Sequence, residues 1–238
     1  MSRVDRREWT RQLRGAVYRR DGAAVLAAAV DPTRPVGVLQ LLGDGLVIAV
    51  GQRVDGARES AAECVARLRE RGWAGDRELA DQLDGTSRAG PAPALRPLAV
   101  DLEQLTDILE GDPTTTGGGV DLRTGEVWPR SAIEDRDEID DDLDVPDLDD
   151  PDRFLPVHGE GSRDGYRDMV EFIDTVADED RADRLGTAIR GRGAFRRFRD
   201  VLGRCPDELE RWIEFSGERK RGRARAWLAD AGYRVADR

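Results

Sequence analysis

The 238-residue sequence is poor in the side chains that most often carry metal or redox chemistry, with one histidine, His158, and two cysteines. Cys64 and Cys205 lie far apart in the chain and form no Cys-x-x-Cys motif, so neither a disulfide framework nor a zinc site is indicated. A lone histidine without a second histidine, cysteine or serine motif predicts neither a metal centre nor a catalytic dyad. We therefore assign no catalytic residue, no metal ligand and no cofactor.

Long apolar runs are also scarce. The longest, Val36–Val50, contains Gln40 and Asp44 and is too short to span a bilayer. The first residues, MSRVDRREW, lack the apolar centre of a signal peptide. We expect a cytoplasmic protein with no membrane segment.

The recognised phosphate and calcium loops are missing as well. The triple glycine Gly117–Gly119 lacks the following Lys-Ser or Lys-Thr of a phosphate loop and precedes a strand pattern rather than a helix. The acidic residues 140–152 lack the glycine and the terminal glutamate of a calcium-binding EF loop. Neither stretch predicts a specific ligand site.

Charge is abundant, and its layout is uneven. Residues 134–152 contain twelve acidic residues and one arginine, for a net charge of −11, which equals the net charge of the whole chain. The rest of the chain is therefore neutral overall. A like-charge block of this density repels itself, so we expect a solvated acidic loop.

The first 84 residues have helical periodicity and are rich in alanine and arginine. Gly56–Arg71, for example, places Ala61, Val65 and Leu68 on one face and ends at Gly72. One central helix, or a pair of helices divided around Gly43–Gly45, is expected within Val36–Val54. We interpret residues 1–84 as a helical domain, and the proline-rich segment 85–97 as a linker.

Residues 98–238 mix strand and helix patterns. A β-hairpin is predicted from Val120 to Trp128, with a turn at Arg123–Gly125. Arg153–His158 is predicted to be a strand that lies at an edge or ends early, because it contains Pro156. The overall prediction is a mostly helical α+β protein. Its N-terminal helical bundle would precede C-terminal helices packed on a small antiparallel sheet.

The segment RGRGAFRRFRDVL, residues 190–202, combines helix signals, aromatic residues and positive charge. At about 100° per residue, Phe195, Phe198, Val201 and Leu202 fall on one arc, which we expect to be buried, and the arginines face solvent. Pro206 ends this helix. A second helix is predicted from Asp207 to about Asp230.

Three functions remain open. The leading interpretation is a non-enzymatic interaction or regulatory module with an unknown protein partner. The second is a nucleic-acid-associated protein that uses the arginine faces 190–204 and 219–225 and is autoinhibited by the acidic loop. A weaker alternative is a hydrolase that uses Asp121, Glu126, Glu160 and Asp164. The candidate binding residues are Arg190, Arg192, Arg196, Arg197, Arg199, Arg204, Arg219, Lys220 and Arg221.

A recognisable series of segments lies within residues 98–235. It consists of GEV at Gly125–Val127, the acidic loop, the strand with Pro156, SRDGYRDMVEFIDTV, RGRGAFRRFRDVL and AWL at the end of the last helix. The series resembles an uncharacterised bacterial protein family, UPF0158, and GRGAFRRFRDVL is its most specific part. The resemblance supports the domain boundary before residue 98 and implies no activity, cofactor or catalytic residue.

Overall fold

The structure is a computed structural model that describes residues 3–87, 95–134 and 150–236. In these ranges it contains eleven helices, an antiparallel sheet of three strands and a parallel pair of strands. The prediction of a mostly helical α+β fold with a small antiparallel sheet is confirmed. None of the described helices is long and apolar enough to cross a membrane.

The described residues form two compact units that are interleaved in sequence. The first unit comprises those within Met1–Pro93 and Asp164–Gly222, and the second comprises those within Ala94–Arg163 and Arg223–Arg238. This grouping differs from the predicted division at 85–97, because it places Asp164–Gly222 with the N-terminal helices. Independent folding of residues 1–84 and 98–238 stays a prediction.

Parts of two predicted segments lie outside the described residues. These are residues 88–94 of the predicted linker and residues 135–149 of the predicted acidic loop. At the edges of the linker, Ser87 ends a helix and Arg96 begins a strand.

The N-terminal part of the first unit consists of five helices that share one apolar core. They are α1 (Arg3–Tyr18), α2 (Gly22–Val30), α3 (Gln40–Gly51), α4 (Ala57–Arg71) and α5 (Asp76–Ser87). Helix α3 is continuous through Gly43–Gly45, so the region forms one helix and not a divided pair. Gly43 and Gly45 instead allow close packing, because added Cβ atoms would lie 2.5 Å from Leu79 and 2.7 Å from Val25.

The second unit is built around a small sheet. Its elements are β1 (Arg96–Leu98), α6 (Leu102–Leu109), β2 (Gly117–Asp121), β3 (Val127–Pro129), α7 (Arg130–Glu134), β4 (Phe154–His158) and β5 (Tyr233–Val235). Strand β2 pairs antiparallel with both β3 and β4, and β1 pairs parallel with β5. The predicted hairpin and the predicted edge strand with Pro156 are confirmed in the described residues. The pairing of β1 with β5 was not predicted.

The four C-terminal helices of the chain are α8 (Arg163–Ile173), α9 (Glu179–Ala188), α10 (Ala194–Leu202) and α11 (Pro206–Asp230). An aromatic cluster joins α8, α10 and α11 within the first unit, and α9 adds Leu185 to the same apolar core. The ring of Phe172 lies 6.3 Å from that of Phe198 and 5.3 Å from that of Trp212, and both pairs are edge-to-face. Helix α11 contributes residues to both units. Its residues up to Gly222 belong to the first unit, and those from Arg223 onward belong to the second.

The two cysteines are free thiols. Cys64 is buried in the N-terminal core, and this burial raises the pKa of its thiol to about 12. Cys205 is half-buried between α10 and α11.

Candidate functional site

The turn between α9 and α10 is held by one of the predicted binding arginines. Gly191 and Gly193 adopt φ values of 77° and 75°, which favour glycine, and they reverse the chain direction. Arg197 reaches back over this turn and donates to the carbonyl oxygens of Ala188 at 2.9 Å and Arg190 at 2.6 Å. These carbonyl groups lie at the end of α9, where carbonyl oxygens have no intrahelical donors. Arg197 therefore supports the turn.

Five other predicted arginines are exposed around α10: Arg190, Arg192, Arg196, Arg199 and Arg204. Arg196 approaches only Asp200 on its own helix, at 4.0 Å. The other four form no ion pair with any described residue. We call these five residues, together with Phe195, the arginine surface.

Phe195 corrects an expectation. The spacing placed it on the buried arc with Phe198, but its side chain is 39% exposed, whereas Phe198 is 2% exposed. The core face of α10 is formed by Ala194, Phe198 and Leu202, which follow one another at four-residue intervals. Phe195 lies at the edge of that face, one turn before Arg199, and thus on the same side of the helix as this arginine.

A groove of about 790 Å³ lies between α9 and α10, next to the arginine surface. Its lining carries both signs of charge, including Arg181 and Arg184 opposed by Asp180 and Asp183. Its volume lies in the range of ligand sites, roughly 300–1,000 Å³.

The predicted group Arg219, Lys220 and Arg221 is used inside the first unit. Arg219 donates to Asp168 at 2.9 Å and to Glu171 at 3.0 Å, and its guanidinium lies over the ring of Trp73. Arg221 donates to Asp44 at 2.7 Å. Lys220 is half-buried between them. The structure does not bring this group together with the exposed arginines of α10.

Among the carboxylates of the hydrolase alternative, Asp121 has a structural role. Asp121 is buried, forms an ion pair with Arg153 at 3.0 Å and accepts the backbone N–H of Arg123 at 2.7 Å. It therefore holds the hairpin turn. No group of three or more potential metal ligands occurs among the described residues.

A feature that the sequence analysis missed is a row of glutamates on α11. Glu210, Glu214 and Glu218 follow one another at four-residue intervals and therefore lie on one face of the helix. We call them the acidic stripe. Glu210 pairs with Arg7, Glu214 pairs with Arg6 at 2.8 Å, and Glu218 pairs with Arg71 at 3.0 Å.

Glu218 occupies the N-terminal end of α3. Its carboxylate accepts the backbone N–H groups of Leu39, Gln40 and Leu41 at 2.7 to 3.2 Å. Helix α3 has no capping side chain of its own, so this distant carboxylate meets the exposed amides and the positive end of the helix dipole. Burial raises the pKa of Glu218 above its ordinary value, although Arg71 and the amides act in the opposite direction.

Two further contacts flank this carboxylate. Trp73 packs edge-to-face on Phe215 with ring centroids 5.2 Å apart. Gly222 continues the four-residue spacing of the acidic stripe, and an added Cβ there would lie 2.1 Å from the carbonyl oxygen of Ala74. The spacing Glu-x3-Glu-x3-Glu-x3-Gly was the available sequence signal, because like charges one turn apart destabilise an isolated helix.

Comparison with known proteins identifies one family, which matches the part of the chain that contains the arginine surface and the acidic stripe. The profile of the uncharacterised protein family UPF0158 matches residues 95–238. The chain belongs to UPF0158. A UPF0158 protein of Pseudomonas aeruginosa is 27% identical over 144 residues, which cover 60% of this chain and 90% of that protein. No solved structure matches the chain.

The UPF0158 match divides the residues of the site. The arginine surface, the groove and the acidic stripe all lie within the matched residues 95–238. The partners of the stripe, Arg6, Arg7 and Arg71, and the N-terminal end of α3 all lie before it.

Proposed function

We propose that this UPF0158 protein is a non-enzymatic interaction or regulatory module of the cytoplasm, and that it binds an acidic partner protein through the arginine surface. One observation carries the proposal. Arg219 and Arg221 are paired with carboxylates inside the first unit. Arg190, Arg192, Arg199 and Arg204 form no ion pair with any described residue.

The neighbouring groove supports a protein as the partner. Its lining alternates arginine and aspartate along α9 and α10. Aspartates such as Asp180 and Asp183 repel a uniform polyanion, whereas a folded protein can present both charges. Electrostatic complementarity of this kind favours specific association between proteins.

The proposal is tested by comparing two double variants of equal charge. R196S/R199S alters the arginine surface, and R58S/R77S alters α4 and α5. Arg196 and Arg77 match closely, because each is almost fully exposed and faces an aspartate four residues later. Quantitative capture from lysate should lose the same acidic proteins with R196S/R199S only. Equal loss with both variants would show non-specific charge attraction and would contradict the proposal.

A second candidate function is binding of single-stranded nucleic acid, and the exposure of Phe195 favours it. Such binders combine cations with exposed aromatic rings on which bases stack. Phe195 is 39% exposed and lies one turn from Arg199. The acidic segment 134–152 would then act as a tethered competitor for the same arginines.

A stacking role for Phe195 is tested by anisotropy with a fluorescent single-stranded oligonucleotide. F195A should weaken binding by about 5- to 100-fold if the ring stacks on a base, which corresponds to ~1–3 kcal/mol. F195L keeps an apolar side chain without an aromatic face and should behave like F195A. Unchanged affinity in both variants would exclude base stacking and leave phosphate contacts alone.

A further inference from the structure

The acidic stripe joins residues inside the UPF0158 match to residues outside it. Glu210, Glu214 and Glu218 belong to the residues that match UPF0158. Every ion-pair partner named for them lies in the N-terminal helices, outside that match. The family match begins at residue 95, after the N-terminal helices end. The contact therefore connects residues inside the family match with residues outside it.

The chemistry of the contact is mainly electrostatic. The buried apolar residues of the first unit fall into two clusters, one from Trp9 to Leu83 and one from Met169 to Leu202. Ion pairs, charge-assisted hydrogen bonds and the contacts of the Trp73 ring with Phe215 and Arg219 connect the two parts. Such a polar contact resembles an interface between separate proteins more than the interior of a domain.

The contact also has the geometry of specific recognition. The carboxylate of Glu218 occupies an anion socket, made of three backbone N–H groups at the start of α3 and the guanidinium of Arg71. Arg71 is in turn held by Asp76, at 2.6 Å. Gly222 and Gly75 then let the two backbones approach closely. The arrangement fits a helix with acidic residues at four-residue intervals.

We propose that the acidic stripe of α11 is a docking surface for a protein segment that presents arginines beside a helix N-terminus, and that residues 3–87 of this chain are its resident and exchangeable occupant. The partner in trans is the same segment of a second copy, because it carries the complete set of complementary groups. This site is separate from the arginine surface of α10.

The experiment uses the full chain with a protease site introduced within residues 88–94. After cleavage, an isotope-labelled sample is mixed with an unlabelled sample, and the exchange of N-terminal segments is followed by native mass spectrometry. The two pieces should stay associated and exchange slowly at low salt. They should separate near 1 M salt, where the Debye length is about 3 Å, and should reassociate on desalting.

Variants distinguish the stripe from general loosening of α11. E214Q removes the charge that pairs with Arg6 and should accelerate exchange by about tenfold, because loss of a paired charge acts mainly on dissociation. E208Q is the matched control. Glu208 lies on the same helix and its side chain is 9% exposed, against 16% for Glu214, but it pairs with Arg181 and Arg211, so exchange should not change. R6Q/E214Q should exchange no faster than E214Q, because both substitutions remove one interaction.

Three results would overturn the proposal. Absence of exchange at every salt concentration would show that the N-terminal helices are a fixed part of the fold. Exchange that is insensitive to salt and to E214Q would show that the stripe does not govern docking. Equal acceleration by E208Q and E214Q would show that α11 is merely destabilised.

Discussion

Two phenylalanines of α10, three residues apart, have opposite environments and should respond differently to truncation. Phe198 is 2% exposed and packs edge-to-face on Trp212 with ring centroids 4.9 Å apart, whereas Phe195 is 39% exposed. F198A should lower the free energy of unfolding by about 3–5 kcal/mol. F195A should change it by about 0.5 kcal/mol. Urea unfolding checks both values, and equal losses would contradict the burial of α10.

Glu218 should be replaceable by a small anion. E218A removes a buried partner of Arg71 and uncaps α3, which should cost about 3–5 kcal/mol. Added acetate should raise the Tm of E218A above its value in sodium chloride of equal ionic strength, because three N–H groups and Arg71 remain to bind it. E208A serves as the control, since Glu208 contacts only arginine side chains. Equal effects of acetate on both variants would contradict the anion socket.

Asp121 should make the stability of the chain depend on acid pH. Burial raises the pKa of this carboxyl, but Arg153 and the N–H groups of Arg123 and Thr124 outweigh it and hold the pKa below its ordinary value. Its stabilisation is therefore fully present above the ordinary aspartate pKa of about 3.9 and is lost as the pH falls through the lower folded-state pKa. Thermal unfolding from pH 7 to pH 2 should show the difference between wild type and D121N shrinking with acid. A constant difference would contradict this.

At the scale of elements, alanine substitutions at two glycines of α11 should have opposite effects on stability. Gly217 has no atom within 4 Å of an added Cβ, so G217A should stabilise the helix by about 0.5–1 kcal/mol. At Gly222 the added Cβ would lie 2.1 Å from the carbonyl oxygen of Ala74, so G222A should destabilise by about 1–3 kcal/mol. Thermal unfolding measures both. A stabilising G222A would mean that α11 does not approach the backbone of Ala74 this closely.

The elements differ in how far they follow from local sequence. Helix α4 begins after Gly56 and ends at Gly72, and both glycines adopt positive φ values, as its spacing and flanking glycines predict. The hairpin of β2 and β3 turns at Gly125, with φ of 78°. Strands β1 and β5 contain three residues each and pair across more than 130 positions. No local pattern predicts such a pairing, because each strand is too short to show periodicity.

At the scale of the whole molecule, the charge layout predicts how deletion of the acidic segment acts on nucleic-acid binding. Residues 134–152 carry the entire net charge of −11, and tethering gives them an effective concentration on the order of millimolar. Deletion of Asp135–Asp150 should therefore raise affinity for a single-stranded oligonucleotide at low salt, with a steep salt dependence, and should leave the Tm nearly unchanged. Equal affinity of both chains at about 50 mM salt, where surface charges are weakly screened, would remove the nucleic-acid candidate.

The sequence by itself determined the local architecture, the charge layout and the family relationship. Four-residue apolar spacing and flanking glycines act within one turn of helix. The sequence alone therefore predicts α4, α10 and the start of α11. The same information located the arginines of residues 190–204 and identified the aromatic residues among them.

Only the tertiary structure decided how these residues are used. The pair of Arg6 with Glu214 joins positions 208 residues apart, and Glu218 caps a helix that begins 178 residues earlier. Whether a cation is exposed or paired depends on which distant surface packs against it. Packing leaves Arg199 and Phe195 exposed but pairs Arg219 and Arg221 with carboxylates. The free energy of a charge depends on its final neighbours and its burial, and sequence periodicity does not encode either.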